Sequence, residues 1–145
     1  MKVLMGIGNE LRGDDAVGIY VARNFRKEGW HVIEAGQVPE DFTSEIKRLR
    51  PELLVLVDAA LMGLEPGEVR IVPVEKIPKV AFSTHGMPLS FFIEFLSDSV
   101  SEIILIGIQP KTLEFGASLT NEVKKSANKL LSLLKSGKFK NIEIL

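Results

Sequence analysis

The sequence predicts an α/β domain with a mostly parallel sheet between two helical layers, a three-layer α/β/α sandwich. Three observations carry that prediction. Leu53-Leu54-Val55-Leu56-Val57 is apolar at every position, as a strand must be when both its faces are covered in a parallel sheet. Ile103 to Ile108 repeats that character later in the chain. Around these runs apolar residues recur at helical spacing, so strands and helices alternate and parallel crossovers follow. The chain has 145 residues, 46% hydrophobic and 26% charged, which suits one domain over 1–145 with a core of ordinary size.

Taken in order, Lys2 to Gly6 reads as a short buried strand that ends in a glycine-rich turn. Val17, Val21 and Phe25 then mark a helix, which Gly29 should end. Trp30 to Ile33 is a second strand, and Glu34 to Asp41 a polar loop containing Pro39. Thr43 to Arg50 forms a helix whose basic end suits its dipole. After the Leu53–Val57 strand, Glu65-Pro66-Gly67 is a turn, and Glu68 to Val74 alternates as a more exposed strand. Leu89, Phe92, Ile93 and Leu96 place a helix before the Ile103–Ile108 strand. Phe91, Phe92 and Phe95 read as helix packing and groove wall. Leu119, Val123, Ala127, Leu130, Leu131 and Leu134 give the longest amphipathic helix, and Asn141 to Leu145 a closing edge strand.

Bulk properties exclude several functions. A net charge of -1 offers no field for nucleic acid or an anionic membrane. With no cysteine, disulfides, thiolate nucleophiles and thiolate metal sites are ruled out. No signal-peptide pattern precedes Val3-Leu4-Met5. The longest apolar stretch, Leu53 to Leu64, is broken by Asp58 and Gly63 and is too short to span a bilayer. The expectation is a cytoplasmic protein without membrane insertion.

The chemistry concentrates at strand ends, where open α/β sheets bind their ligands. Gly6-Ile7-Gly8-Asn9-Glu10-Leu11-Arg12-Gly13-Asp14-Asp15 sets two acids on a turn of the kind that elsewhere cradles phosphate. Aspartates there repel phosphate and attract a cation. Asp58 directly follows the Leu53–Val57 strand, and His85 lies between Phe82-Ser83-Thr84 and the next helix. If the first and third strands are neighbours, Asp15 and Asp58 share a crevice. Two carboxylates and an imidazole would accept zinc, nickel or iron, with positions left for a substrate's own ligands. The plainer alternatives are a helix N-cap for Asp14 or Asp15 and an ordinary polar junction residue for His85. His31, on an alternating strand, reads as structural. Leu11 stands where a dinucleotide fingerprint wants its third glycine, and neither a nucleotide loop nor a nucleophile elbow is present.

Four segments together resemble the hydrogenase maturation endopeptidases: Gly6 to Asp15, Leu56-Val57-Asp58-Ala59-Ala60, Ser83-Thr84-His85-Gly86-Met87-Pro88-Leu89, and Leu105-Ile106-Gly107-Ile108-Gln109-Pro110. The third is most similar to the branch serving formate-hydrogenlyase-type hydrogenases. The resemblance implies an α/β sandwich of phosphorylase/hydrolase-like type with a five-stranded, largely parallel sheet. It also implies an aspartyl-type endopeptidase that cuts a C-terminal extension from the large-subunit precursor of a [NiFe] hydrogenase. By the same resemblance, metal contact and catalysis fall on Asp15, Asp58 and His85. The nickel arrives in the precursor, held by the precursor's thiolates, so no permanent cofactor is implied; the enzyme itself is expected as a monomer or weak oligomer. Ala16 stands where the family commonly has glycine after the acidic pair, leaving Gly18 to supply local freedom. Glu34-Ala35-Gly36 replaces an Asp-Gly-Gly loop, and Gln37 to Asp41 is a candidate for docking the large subunit. Two other classes compete: a peptidyl-tRNA hydrolase-like esterase, suggested by Gly6-x-Gly8-Asn9 but lacking the following Pro-Gly, and a non-catalytic nickel-binding assembly chaperone.

Overall fold

A computed structural model describes residues 1–83 and 87–145. Its elements are β1 (Lys2–Ile7), α1 (Val17–Arg23), β2 (Trp30–Gly36), α2 (Thr43–Leu49), β3 (Leu53–Leu61), β4 (Val69–Ile71), β5 (Ala81–Phe82), α3 (Leu89–Leu96), β6 (Glu102–Ile108) and α4 (Asn121–Ser136). The sheet runs β2-β1-β3-β6-β4, with β5 as a sixth, two-residue strand pairing β3. Strands β2, β1, β3 and β6 are parallel; β4 is antiparallel to β6 and β5 to β3.

Period-two alternation divides the apolar residues between two cores, one on each face of the sheet. Leu4, Val55, Val57, Ile104 and Ile106 face α1 and α4, where Val17, Val21, Phe25, Val123 and Leu130 complete one core. Val3, Met5, Leu54, Leu56 and Leu105 face α2 and α3, where Ile46, Phe92, Ile93 and Leu96 complete the other. A run such as Leu53–Val57 must therefore be apolar throughout, because each face meets a different helical layer.

Several boundaries differ from the sequence reading. Helix α1 stops at Arg23, while Gly29, at φ 87°, turns the chain into β2. Strand β2 continues to Gly36 because its pairing with β1 extends to Ile7↔Gly36. The exposed strand after Pro66 is only Val69–Ile71. The expected C-terminal strand reduces to a single bridge, Ile71↔Ile144, since the chain tightens into a 3₁₀ turn at Phe139–Asn141. Of the aromatic cluster, Phe92 is fully buried whereas Phe91 and Phe95 face solvent. His31 is structural, as expected: its Nε2 lies 2.9 Å from Glu45 Oε2, joining β2 to α2.

The topology fixes where a site belongs. From β1 the chain crosses to β2 on one side, then returns past β1 to β3 on the other. This reversal is the switch point at which open α/β sheets form a ligand crevice beyond their carboxyl ends.

Candidate active site at the β1–β3 switch point

The glycine-rich turn has a steric logic. Helix α1 lies so close to the sheet that a Cβ on Gly18 would run into the carbonyl oxygens of Ile7 and Val57. Gly18 thus serves close packing rather than the local freedom expected of it. At Gly8 the backbone takes φ 147°, and a side chain there would collide with the Asp15 carbonyl. These absences of side chain let the Gly13–Ala16 turn fold back over the end of β1.

The two acids of that turn do different work. Asp14 is fully buried. Its Oδ2 accepts hydrogen bonds from the backbone N–H groups of Lys111 (2.8 Å) and Thr112 (3.2 Å). Its Oδ1 accepts from the Thr120 N–H (2.7 Å) and hydroxyl (2.9 Å). Asp14 is therefore a clamp on the segment between β6 and α4. Neither acid caps α1, whose first turn receives no side-chain cap. Asp15 points the other way: its Oδ2 accepts from the Asn9 N–H at 3.0 Å, and its Oδ1 accepts from the Ser83 hydroxyl.

Asp58 lies inside β3 rather than beyond it, because that strand runs on to Leu61, and it is completely buried. The overhang is held on one side by Ala59↔Ile108 and on the other by Ala60↔Phe82 and Leu61↔Ala81. That β5 pairing delivers Ser83 to the acid. The Ser83 N–H donates to Asp58 Oδ2 at 2.9 Å, and Ser83 Oγ lies 2.6 Å from Asp58 Oδ1. Gln109, just after β6, steadies the far end of the overhang: its Oε1 accepts from the N–H groups of Met62 (2.8 Å) and Leu64 (3.3 Å).

Asp15 and Asp58 thus converge on one hydroxyl, which has a single proton for two carboxyl groups. Burial pushes the Asp58 carboxyl well above the usual carboxylate range, and the Asp15 charge pushes it further, against the hydrogen bonds from Ser83. A proton on Asp58 Oδ1 satisfies the triad: Asp58 donates to Ser83 Oγ, and the Ser83 hydroxyl donates to Asp15. A cation at the same point would replace both protons as the bridge between the carboxylates.

Beside this triad is a cleft of about 60 Å³, lined by Arg12, Asp15, Ala59, Leu61, Ser83 and Leu113 among others. It has room for a few water molecules or one small group. His85, the third expected ligand, lies outside the described residues. Among the described residues no group of three metal-ligating side chains forms. Sequence reasoning grouped Asp15 with Asp58 but gave Ser83 no role of its own, although it opens the Ser83–Leu89 segment that carries the histidine.

A parallel α/β sheet carrying paired acids at its switch point defines a class of site, and comparison with known proteins defines the family. The family model described as HycI, hydrogenase maturation protease, matches residues 16–136. The hydrogenase 3 maturation protease of Escherichia coli K12 is 39% identical over 126 residues, spanning 84% of this chain and 81% of its own. The solution structure of the endopeptidase HycI from Escherichia coli superposes with a TM-score of 0.90 at 34% identity, covering 100% of this chain and 96% of that one. The crystal structure of the [NiFe] hydrogenase maturation protease HycI from Thermococcus kodakarensis gives 0.83 at 33% identity, over 97% and 92% of the two chains. The chain belongs to the hydrogenase maturation protease family, in its HycI branch. It is a peptidase, which sets aside the esterase and chaperone alternatives.

Proposed function

We propose that this protein removes the C-terminal extension of a [NiFe] hydrogenase large-subunit precursor after nickel insertion, and that Asp15, Asp58 and His85 read the precursor-bound nickel. The observation that supports this reading best is the meeting of Asp15 and Asp58 on Ser83, at the switch point. Paired buried carboxylates hold hard oxygen donors toward a metal whose soft thiolate ligands belong to the substrate. The enzyme then has no need of cysteine, and it has none.

In this reading, cleavage follows from water activated by a carboxylate while the nickel fixes the scissile bond and polarises it. The small cleft beside Asp15 suits the attacking water. The surface around it suits a protein partner. Leu11, Val38, Leu61 and Phe115 are all exposed, and each lies at or just beyond the carboxyl end of one of the parallel strands β1, β2, β3 and β6. The Leu11 and Phe115 loops are joined by the Gly116 N–H donating to the Leu11 carbonyl at 2.7 Å. Val38 lies in the Gln37–Asp41 stretch expected to dock the large subunit.

Incubating the purified protein with nickel-loaded and nickel-free precursor, read by mass spectrometry, tests the reading. Loss of the C-terminal fragment only from the nickel-loaded form is the expected result. Equal cleavage of both forms, or cleavage that survives Asp15→Asn combined with His85→Ala, overturns it.

A further inference from the structure

The Ser83 hydroxyl occupies the point between Asp15 Oδ1 and Asp58 Oδ1 at which a cation bridging the two carboxylates would sit. Ser83 is buried and cannot swing freely to solvent. Its N–H is tied to Asp58 Oδ2, and the residues before it are paired to the β3 overhang. We propose that Ser83 is a metal gate: its hydroxyl fills the cation position of the free enzyme, discriminating against stray divalent ions and yielding only to nickel presented by the docked precursor. The proposal rests on the reading that Asp15 and Asp58 contact that nickel.

The physical argument is competition. A free ion approaching the site must break the hydroxyl's bonds to two buried carboxyl groups before gaining its own bonds to them. A nickel ion carried by a docked protein brings the contact surface of its carrier with it, and that binding energy offsets the displacement. Removing the hydroxyl leaves two buried acids facing each other without their bridge, an arrangement that a cation relieves. A purely structural serine would give no such gain. A serine that served as a ligand would give the opposite.

The test is the affinity of the isolated full-length protein for free Ni²⁺, by isothermal titration in a non-chelating buffer. Ser83→Ala and Ser83→Gly both delete the hydroxyl, with different demands on packing, and Ser83→Thr retains it. The expected result is Ni²⁺ binding about tenfold tighter in the Ala and Gly variants, the factor that one hydrogen bond to a charged group is worth, and unchanged in the Thr variant. Unchanged or weaker binding without the hydroxyl overturns the gate, as does equal tightening in the Thr variant. Thermal melts accompany each titration, and whichever hydroxyl-free variant keeps the fold decides. Cleavage of nickel-loaded precursor by the unmutated protein is run separately. Its failure would refute the proposed substrate reading while leaving the Ni²⁺ comparison to judge the gate.

Discussion

A buried acid whose proton is held more tightly than in water bears on stability as well as on chemistry. The folded chain keeps the Asp58 proton at pH values where the unfolded chain has lost it, because burial and Asp15 raise its pKa. Folding therefore weakens as pH rises from about 4, the ordinary carboxylate value, toward the raised value. Asp58→Asn, which offers a neutral donor of nearly the same shape to Ser83, is expected to stabilise the protein at pH 7. The gain should shrink toward pH 4, and cleavage should be lost with it. Urea unfolding at the two pH values checks this; a variant less stable at pH 7 than the native chain would refute the neutral-acid account. Such a trade of stability for activity is what a buried acid kept for the proposed function would produce. Asp14 predicts the reverse. Asp14→Ala leaves the N–H groups of Lys111, Thr112 and Thr120 without their acceptor, at a cost of about 3 kcal/mol. Limited proteolysis should then cut between residues 111 and 120.

At the scale of elements, the approach of α1 to the sheet sets the reach of Asp15. Replacing a helix-interior glycine by alanine ordinarily gains about 1 kcal/mol from propensity. At Gly18 the new methyl meets two backbone carbonyls, which cannot turn aside as a side chain can. Overpacking of that kind costs about 1–3 kcal/mol, so Gly18→Ala is expected to lower the urea midpoint and, by lifting α1 off β1, to slow cleavage. A midpoint above that of the native chain would show that the helix has room. The elements also show what a sequence discloses. The β1–β3 adjacency stood in the sequence only as a condition; the pairing meets it, and Asp15 comes to Asp58 as that adjacency requires. Strand β5 was not legible. A two-residue strand has no period, and it exists only because β3 overhangs its neighbours. The closing strand was misread for a related reason: Ile144 has strand character, yet among the described residues its only bridge is to Ile71. Ser83 was given no role because nothing in Phe82-Ser83-Thr84 says which hydroxyl is turned inward.

At the scale of the whole molecule, the exposed residues Leu11, Val38, Leu61 and Phe115 lie at or beyond the carboxyl ends of β1, β2, β3 and β6. Leu11→Ser and Phe115→Ser should raise KM for the nickel-loaded precursor several-fold while changing stability by no more than about 0.5 kcal/mol, as expected of exposed positions. Phe95→Ser offers a comparison, because Phe95 is equally apolar but sits on α3 beneath the Lys47 ammonium, 3.9 Å from its ring centre. If all three substitutions raise KM alike, the docking edge is not where we place it. No helix among the described residues is long and apolar enough to cross a membrane.

The order in which the sheet is threaded has a consequence for the newborn chain. Asp15, Asp58 and Ser83 come from three widely spaced stretches, and the strand that flanks β3 on its open side, β6, ends only at Ile108. A ribosome exposes the first acid early, but the pairings that bring the others to it are all distant in sequence and form late. On the proposed reading of these acids, a half-synthesised chain therefore carries no assembled cutting site. A chain that unfolds as a whole loses the site with the sheet, so proteolytic competence is confined to molecules that have finished folding.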